Sequence, residues 1–256
     1  MKYVRYLYNN SIKHGILDAD VVREISNSFF EEFEVRSSEH HISEVRLLPP
    51  TNPTKVLCTG LNYRKHIEEM GEQVPEFPSY FIKSPTAIIG TNDDIIYPQI
   101  AQRVEYEGEL ALVIKNTVKN IPPEKAMEHV FGYTCFNDVT DRPLVKLPGQ
   151  LIRAKGFDTF GPVGPCIATD LDPSLLTIRT YLNGELKQEG EISDLIFPID
   201  YLIHYMSQCM TLYPGDIIST GSPPGTGPIK PGDIVEVTVK EIGTLRNRVK
   251  AEHDRS

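Results

Sequence analysis

Hydrophobic positions in this chain alternate in short runs far more often than they recur at helical spacing. "MKYVRYLY" alternates, "NN" turns, "SIKHGIL" returns as a second strand and "DVVREI" follows. Beyond residue 50 come β-branched segments punctuated by Gly and Pro: "KVLCTG", "SYFIKSP", "VEYEGELALVI", "VFGYTCFND", "LTIRTYL", "GDIISTG", "GDIVEVTVK" and "TLRNRVKAE". "YLNGEL" carries the Asn-Gly pair of a two-residue hairpin turn. Two stretches read as helices. "NYRKHIEEM" is one, opened by Asn62 as its cap. "FPIDYLIHYMSQCM" is the other, with Ile199, Leu202, Ile203, Met206, Cys209 and Met210 at helical spacing. Many short strands and few helices predict a mixed, β-rich α+β fold. The three prolines of "LLPPTNPTK" (47–55) predict a linker between a small N-terminal β subdomain, 1–50, and a main body, 51–256.

Composition narrows the function classes. A chain of 256 residues, 40% hydrophobic, buries a substantial core. The net charge of −9 and the lack of any Lys/Arg-rich run argue against a nucleic-acid partner. "MKYVRYLYNN" lacks the apolar stretch of a signal peptide and nothing approaches a membrane span, so a cytoplasmic protein without a membrane partner is expected. Cys58, Cys135, Cys166 and Cys209 are far apart, which predicts reduced, mostly buried thiols.

The candidate chemistry is acidic. "RVEYEGELALVI" (103–114) puts Glu105, Glu107 and Glu109 on one face of a predicted strand, with Val104, Tyr106, Leu110 and Leu112 opposite and no Lys or Arg adjacent to any of the three. Such a face is either solvated or holds a hard cation through oxygen ligands, with Asp138 at the end of "FGYTCFND" as a third carboxylate. Spacing leaves both open. His66 and Glu69, three apart on the first helix, could touch, and a His held by a carboxylate can act as a general base on water. An ordinary surface helix fits that spacing better. Lys155 sits among small and aromatic residues where it could face a pocket, although loop lysines are usually solvated. The loop "STGSPPGTGP" (219–228) is expected either to wall a pocket, with Ser222 or backbone N–H groups toward a ligand carboxylate, or to be a plain turn. No GxSxG elbow, phosphate loop, GxGxxG turn or HExxH motif is present.

Taken in order, "GLNYRKH", "YEGELALVI", "GYTCFNDVTDR", "RAKGFDTFGP", "YLNGELKQEG" and "PGDIISTGSPPGTG…PGDIVEV" resemble the fumarylacetoacetate hydrolase family, specifically its small members. The resemblance covers nearly all of the chain after the linker. It implies a fumarylacetoacetase-like β-roll, a homodimer, and one Mg²⁺ or Mn²⁺ per subunit held by Glu107, Glu109 and Asp138. Glu105 then precedes the ligand pair without being a ligand. By the same matching, Lys155 and Thr159 correspond to the family's pocket Lys and Thr, and Arg142 to its Arg after the metal Asp. His66 and Glu69 correspond to a His–Glu dyad on the segment that closes over substrate. One stretch departs: "DRPLV" puts Pro143 where the family has Asp and Val145 where hydrolytic members have a substrate-placing Gln. The substrate beside Val145 is therefore expected to be less polar or shorter.

The resulting expectation is a metal-dependent enzyme for a small 2-oxo or β-diketo acid. Hydrolysis of an acylpyruvate-type carbon–carbon bond is favoured, with His66 and Glu69 activating water. Oxaloacetate decarboxylation and isomerisation of an unsaturated 2-oxo diacid are alternatives on the same site. A non-catalytic member that binds metal or ligand is the rival from another class.

Overall fold

Asn9 and Asn10 both adopt left-handed backbone (φ 48° and 58°), the geometry that closes a tight hairpin between strands Lys2–Tyr8 and Ser11–Asp18. The computed structural model describes residues 1–254, and in it this hairpin begins a meander continued by Val21–Ile25 and Val35–His41. The meander joins the main body directly. Lys2–Tyr8 pairs with Gly161–Ala168, Tyr3 lying opposite Ile167. One twelve-stranded sheet results, running from Val35–His41 through Gly161–Ala168, Val130–Asn137, Gly108–Ile114 and Ile217–Ser219 to Val56–Gly60 and Ser79–Lys83. Most pairings are antiparallel, but Ile217–Ser219 runs parallel to Val56–Gly60.

A five-stranded sheet contains the predicted Asn-Gly hairpin. Strands Thr177–Leu182 and Glu185–Glu191 turn through Asn183 (φ 53°) and Gly184 (φ 81°). Its inward residues Ile178, Val237, Val239 and Leu245 form one core with Leu110, Leu112 and Ile114 of the large sheet. Ala111 and Val113, on the other face of the same strand, pack into a second core with Val56, Phe136 and Ile167. Gly108–Ile114 is thus buried on both faces, which accounts for its continuous apolar run. The architecture is a mixed, β-rich fold with few, short helices, as the patterning predicts.

Local expectations are corrected in three places. Asn62 does not cap the first helix, Arg64–Met70; Tyr63 is its cap residue. The Asn62 amide instead donates to Thr220 O (2.8 Å) and Phe197 O (3.1 Å) and accepts from Phe197 N (2.8 Å), tying three loops together. The proline segment after residue 47 is packed rather than free, for Pro50, Thr51 and Pro53 are buried and Thr51 donates to Gly215 O. The acidic stretch is not one strand but two: Val104–Tyr106 lies in a small three-stranded sheet, Gly108–Ile114 in the large one, and the chain breaks at Glu107. The second predicted helix forms over Ile199–Cys209, burying Ile199, Leu202, Ile203 and Met206. Cys58, Cys135 and Cys166 are buried, Cys209 is exposed, and none is paired. No helix among the described residues is long and apolar enough to cross a membrane.

Candidate active site

The strand register assembles the acidic cluster. Gly108 lies opposite Asn137, so Glu107 and Asp138 become neighbours where the two strands end, with Asp138 N donating to Glu107 O. Asn137 Oδ1 accepts from Glu107 N (3.0 Å) and holds the break open. Glu107, Glu109 and Asp138 each offer an oxygen within 4.8 Å of the others. All are buried, as is Glu105; the solvated-face alternative does not describe them.

Three cations that are distant in sequence answer this negative charge. Lys155, at the end of helix Leu151–Lys155, reaches Glu107 Oε2 (2.8 Å) and Asp138 Oδ2 (2.5 Å). Arg142 spans Glu105 Oε2 (2.6 Å) and Glu107 Oε1. Lys83, fully buried, lies 2.7 Å from Asp138 Oδ1 and donates to Val139 O and to Lys155 O. Arg103 adds a second cation beside Glu105, at 2.8 Å. The absence of adjacent basic residues in sequence therefore does not mean an uncompensated cluster.

The protonation states follow from these partners. Burial raises the Glu107 pKa, but Lys155 and Arg142 outweigh it and hold the carboxyl well below the usual range. Burial would neutralise Lys155; Asp138 and Glu107 reverse that and keep it firmly charged. Lys155 is therefore an ammonium, a donor and not a base. Glu109 has no such cation. Its Oε2 accepts from Ser219 Oγ and from Gly221 N (3.0 Å), and burial, with Asp138 and Glu107 close by, pushes its carboxyl well above the ordinary value.

A cavity of about 480 Å³ opens onto this cluster, lined by Glu107, Arg142, Lys155 and His66. His66 is buried and its Nδ1 lies 3.1 Å from Glu69 Oε2. Glu69 is held from behind by Gly225 N, at 3.1 and 3.2 Å. The 219–228 loop thus aims two backbone N–H groups at the protein's own carboxylates, Glu69 and Glu109. Ser222 is not at the cavity. Its hydroxyl donates to Gly108 O and accepts from Gln188 Nε2. Nor is Thr159, whose hydroxyl accepts from Ile96 N (2.9 Å) with a left-handed backbone (φ 70°). Val145 lines the cavity.

Two residues of this framework escape a reading of the sequence. Gln188, buried in a strand of the hairpin, accepts from Gly108 N and donates to Ser222 Oγ and Pro223 O, joining the acidic strand to the glycine-proline loop. Nothing in "ELKQEG" distinguishes it. Lys83 has a signal: it ends an apolar strand, as Asp138 does, two residues after the cavity-lining Phe81. Gly108 has a steric reason. A Cβ there would lie 1.9 Å from Thr180 Oγ1. Gly108→Ala should lower stability by about 1–3 kcal/mol in denaturant melts. Adding Thr180→Ala should recover part of that loss, since the Thr180 hydroxyl has no hydrogen-bond partner to lose.

Residues 55–250 match the C-terminal domain of fumarylacetoacetate (FAA) hydrolase, and residues 1–50 match an Rv2993c-like N-terminal domain. The chain belongs to the fumarylacetoacetate hydrolase family. Within this family, oxaloacetate tautomerase YisK of Bacillus subtilis is 41% identical over 231 residues, 84% of this chain and 77% of its own. The structure of a 5-carboxymethyl-2-hydroxymuconate delta-isomerase from Mycobacterium smegmatis shares 41% identity and a TM-score of 0.92, covering 98% of this chain and 100% of its own. A maleylpyruvate hydrolase from Sphingobium sp. SYK-6, solved with manganese(II) and pyruvate, shares 26% identity and a TM-score of 0.82, covering 98% of this chain and 99% of its own.

The acidic residues fit the divalent metal that fumarylacetoacetate hydrolase family members bind. The donor set is all oxygen, suited to a hard cation. Asp138 Oδ1 is buried and receives no directed hydrogen bond despite the nearby Lys83 ammonium, and Glu109 lacks a cationic partner. Glu109 is the carboxylate where added positive charge is needed, and the unbonded Asp138 Oδ1 is a free acceptor beside it.

Proposed function

We propose that the protein moves a proton between carbon and oxygen of a small 2-oxo acid, a keto–enol tautomerase or isomerase reaction. Hydrolysis, favoured from the sequence because His66 with Glu69 could activate water, becomes the second reading. The observation that carries this is Val145 on the cavity wall, an apolar side chain where hydrolytic members place a Gln. The names of the relatives YisK and the M. smegmatis isomerase point the same way.

A divalent cation at Glu107, Glu109 and Asp138 would supply positive charge for a developing enolate. The chain's own groups handle the proton. An ionised Glu69 can only accept, so the Nδ1 of His66 carries its proton and Nε2 keeps a lone pair. Nε2 takes a proton from C3; the C–H electron pair becomes the C=C bond, and the carbonyl pair moves to oxygen. The Lys155 ammonium donates a hydrogen bond to that oxygen, and the proton held on Nε2 passes to it through solvent water, which leaves the enol and a neutral imidazole. Arg142 faces the substrate carboxylate. A homodimer with one Mg²⁺ or Mn²⁺ per subunit is part of this proposal.

Deuterium incorporation at C3 of oxaloacetate in D₂O, followed by NMR with Mg²⁺ present, tests the reading. Exchange should exceed that of an equal concentration of Glu107→Ala protein, with pyruvate appearing more slowly than the label. Cleavage of acetylpyruvate with no enhanced exchange would restore the hydrolase.

A further inference from the structure

We infer that the junction between the N-terminal meander and the main body carries a second binding site, one for an organic carboxylate with an aromatic or alkyl body. The site shares no lining residue with the acidic cavity and does not depend on the function proposed there. A cleft of about 350 Å³ opens at this junction, within the size range of small-molecule sites. Arg5, His14 and Phe30 line it from the N-terminal side, and Pro50, Asn52 and Pro214 close it from the other. Arg5 is the residue that calls for a ligand. Three arginines among the described residues are turned partly from water: Arg5, Arg142 and Arg179. Arg142 faces Glu105 and Glu107, and Arg179 faces Glu189. Arg5 has no carboxylate partner among the described residues; its one side-chain hydrogen bond runs to Pro49 O, at 3.4 Å. Burial disfavours its charge and no anion offsets that. A guanidinium has five N–H donors, so most of the donor capacity of Arg5 is unused.

The surroundings fix the ligand class. His14 stands directly opposite Arg5 in the strand pairing, so both side chains leave the sheet on the same face. Its ring makes no hydrogen bond among the described residues and meets Phe29 edge-on at 5.3 Å. The aromatic wall is held in place beforehand: Phe29 packs against Tyr3 and Phe131, and Phe30 against Phe29 and Phe131. A preformed wall lowers the entropy lost on binding. With the exposed Ile12 it offers apolar surface that a ligand's body can cover. One planar guanidinium matches a carboxylate through two parallel N–H···O bonds. A phosphate dianion would bring more charge than this single cation answers, into a protein already at −9. Burial and then Arg5 lower the His14 pKa, while the exposed Glu31 raises it; the strand neighbour on the other side, Ile25, is apolar. The free ring is therefore neutral at neutral pH, and a bound carboxylate raises its pKa. Binding then takes up a proton, so affinity tightens as pH falls from about 8 to about 6, where the carboxylate is still ionised.

NMR of the histidine Cε1–H signals of the whole protein tests the inference, with 3-phenylpropanoate as probe and 3-phenylpropanamide and inorganic phosphate as comparisons. Spectra of His14→Gln and His66→Ala identify the signals that report this site and the acidic cavity. 3-Phenylpropanoate should shift the His14 signal saturably with a Kd of about 1–5 mM, tighter at the lower pH. The amide and phosphate should each bind about tenfold more weakly or less. Arg5→Met should weaken the probe about tenfold or more. Ile12→Asp, a change at an exposed position, should weaken it severalfold without lowering the melting temperature. Should Arg5→Met fail to fold, Ile12→Asp and the amide still decide the question. A probe that moves the His66 signal and leaves His14 in place would overturn the inference, since it binds the acidic cavity alone. Equal binding of the amide would remove the anion site, and phosphate binding as tightly as 3-phenylpropanoate would remove the role of the apolar body. No response of His14 to any of the three would overturn the inference outright.

Discussion

Glu107→Ala should abolish turnover and lower the melting temperature by about 6–20 °C. The stability loss follows from the partners Glu107 holds. Lys155 and Arg142 are themselves largely buried, at 6% and 13% side-chain exposure, so removing the carboxylate takes one partner from each of two poorly solvated cations, leaving Lys155 with Asp138 and Arg142 with Glu105. Breaking a buried pair costs about 3–5 kcal/mol, and a chain of this size loses about 2–4 °C per kcal/mol. Two effects are thereby combined, and Glu107→Gln separates them by keeping the volume and one acceptor oxygen. For the wild type, Mg²⁺ or Mn²⁺ at a hundred times its Kd should raise the melting temperature by about 5–10 °C, reversed by chelator. Glu107→Gln should lose most of that rise. A Glu107→Gln protein that still responds to the cation as the wild type does would remove Glu107 from the metal site.

His66→Ala should lower kcat for C3 exchange by roughly 10²–10⁴ while leaving the cation-induced rise in melting temperature in place. His66 sits on the helix Arg64–Met70, outside the carboxylate trio, so its loss leaves the three oxygen donors intact. Glu69→Gln should fall between the wild type and His66→Ala. It keeps an acceptor for the ring N–H but removes the charge that stabilises an imidazolium. Exchange measured by NMR separates this from a binding defect, since kcat changes and pyruvate Kd does not need to. Unchanged exchange in His66→Ala would leave the reaction without its base.

Much of the secondary structure was legible because its causes are local. Alternation marked the strands, two asparagines and an Asn-Gly pair marked hairpin turns, and the Ile199–Cys209 helix followed from periodicity. Asn62 misled for the opposite reason. A cap is a local role, but its amide found three backbone partners from loops more than a hundred residues away. Ser222, expected at a pocket wall from its loop's glycines and prolines, and Thr159, matched by family motif, have hydroxyls engaged with Gly108, Gln188 and Ile96, which no single segment reveals.

The sequence by itself determined that Glu107 and Glu109 share a short acidic stretch, that Asp138 ends a strand, and that His66 and Glu69 stand three apart on a helix. Those are consequences of backbone periodicity. Only the tertiary structure decided that the carboxylates are buried, that the stretch breaks at Glu107, and that Lys83, Arg142 and Lys155 converge on them. The reason is electrostatic. Whether a row of acids is a wet face or a site depends on what surrounds it in a medium of low dielectric, and those surroundings come from strands and helices far apart in the chain.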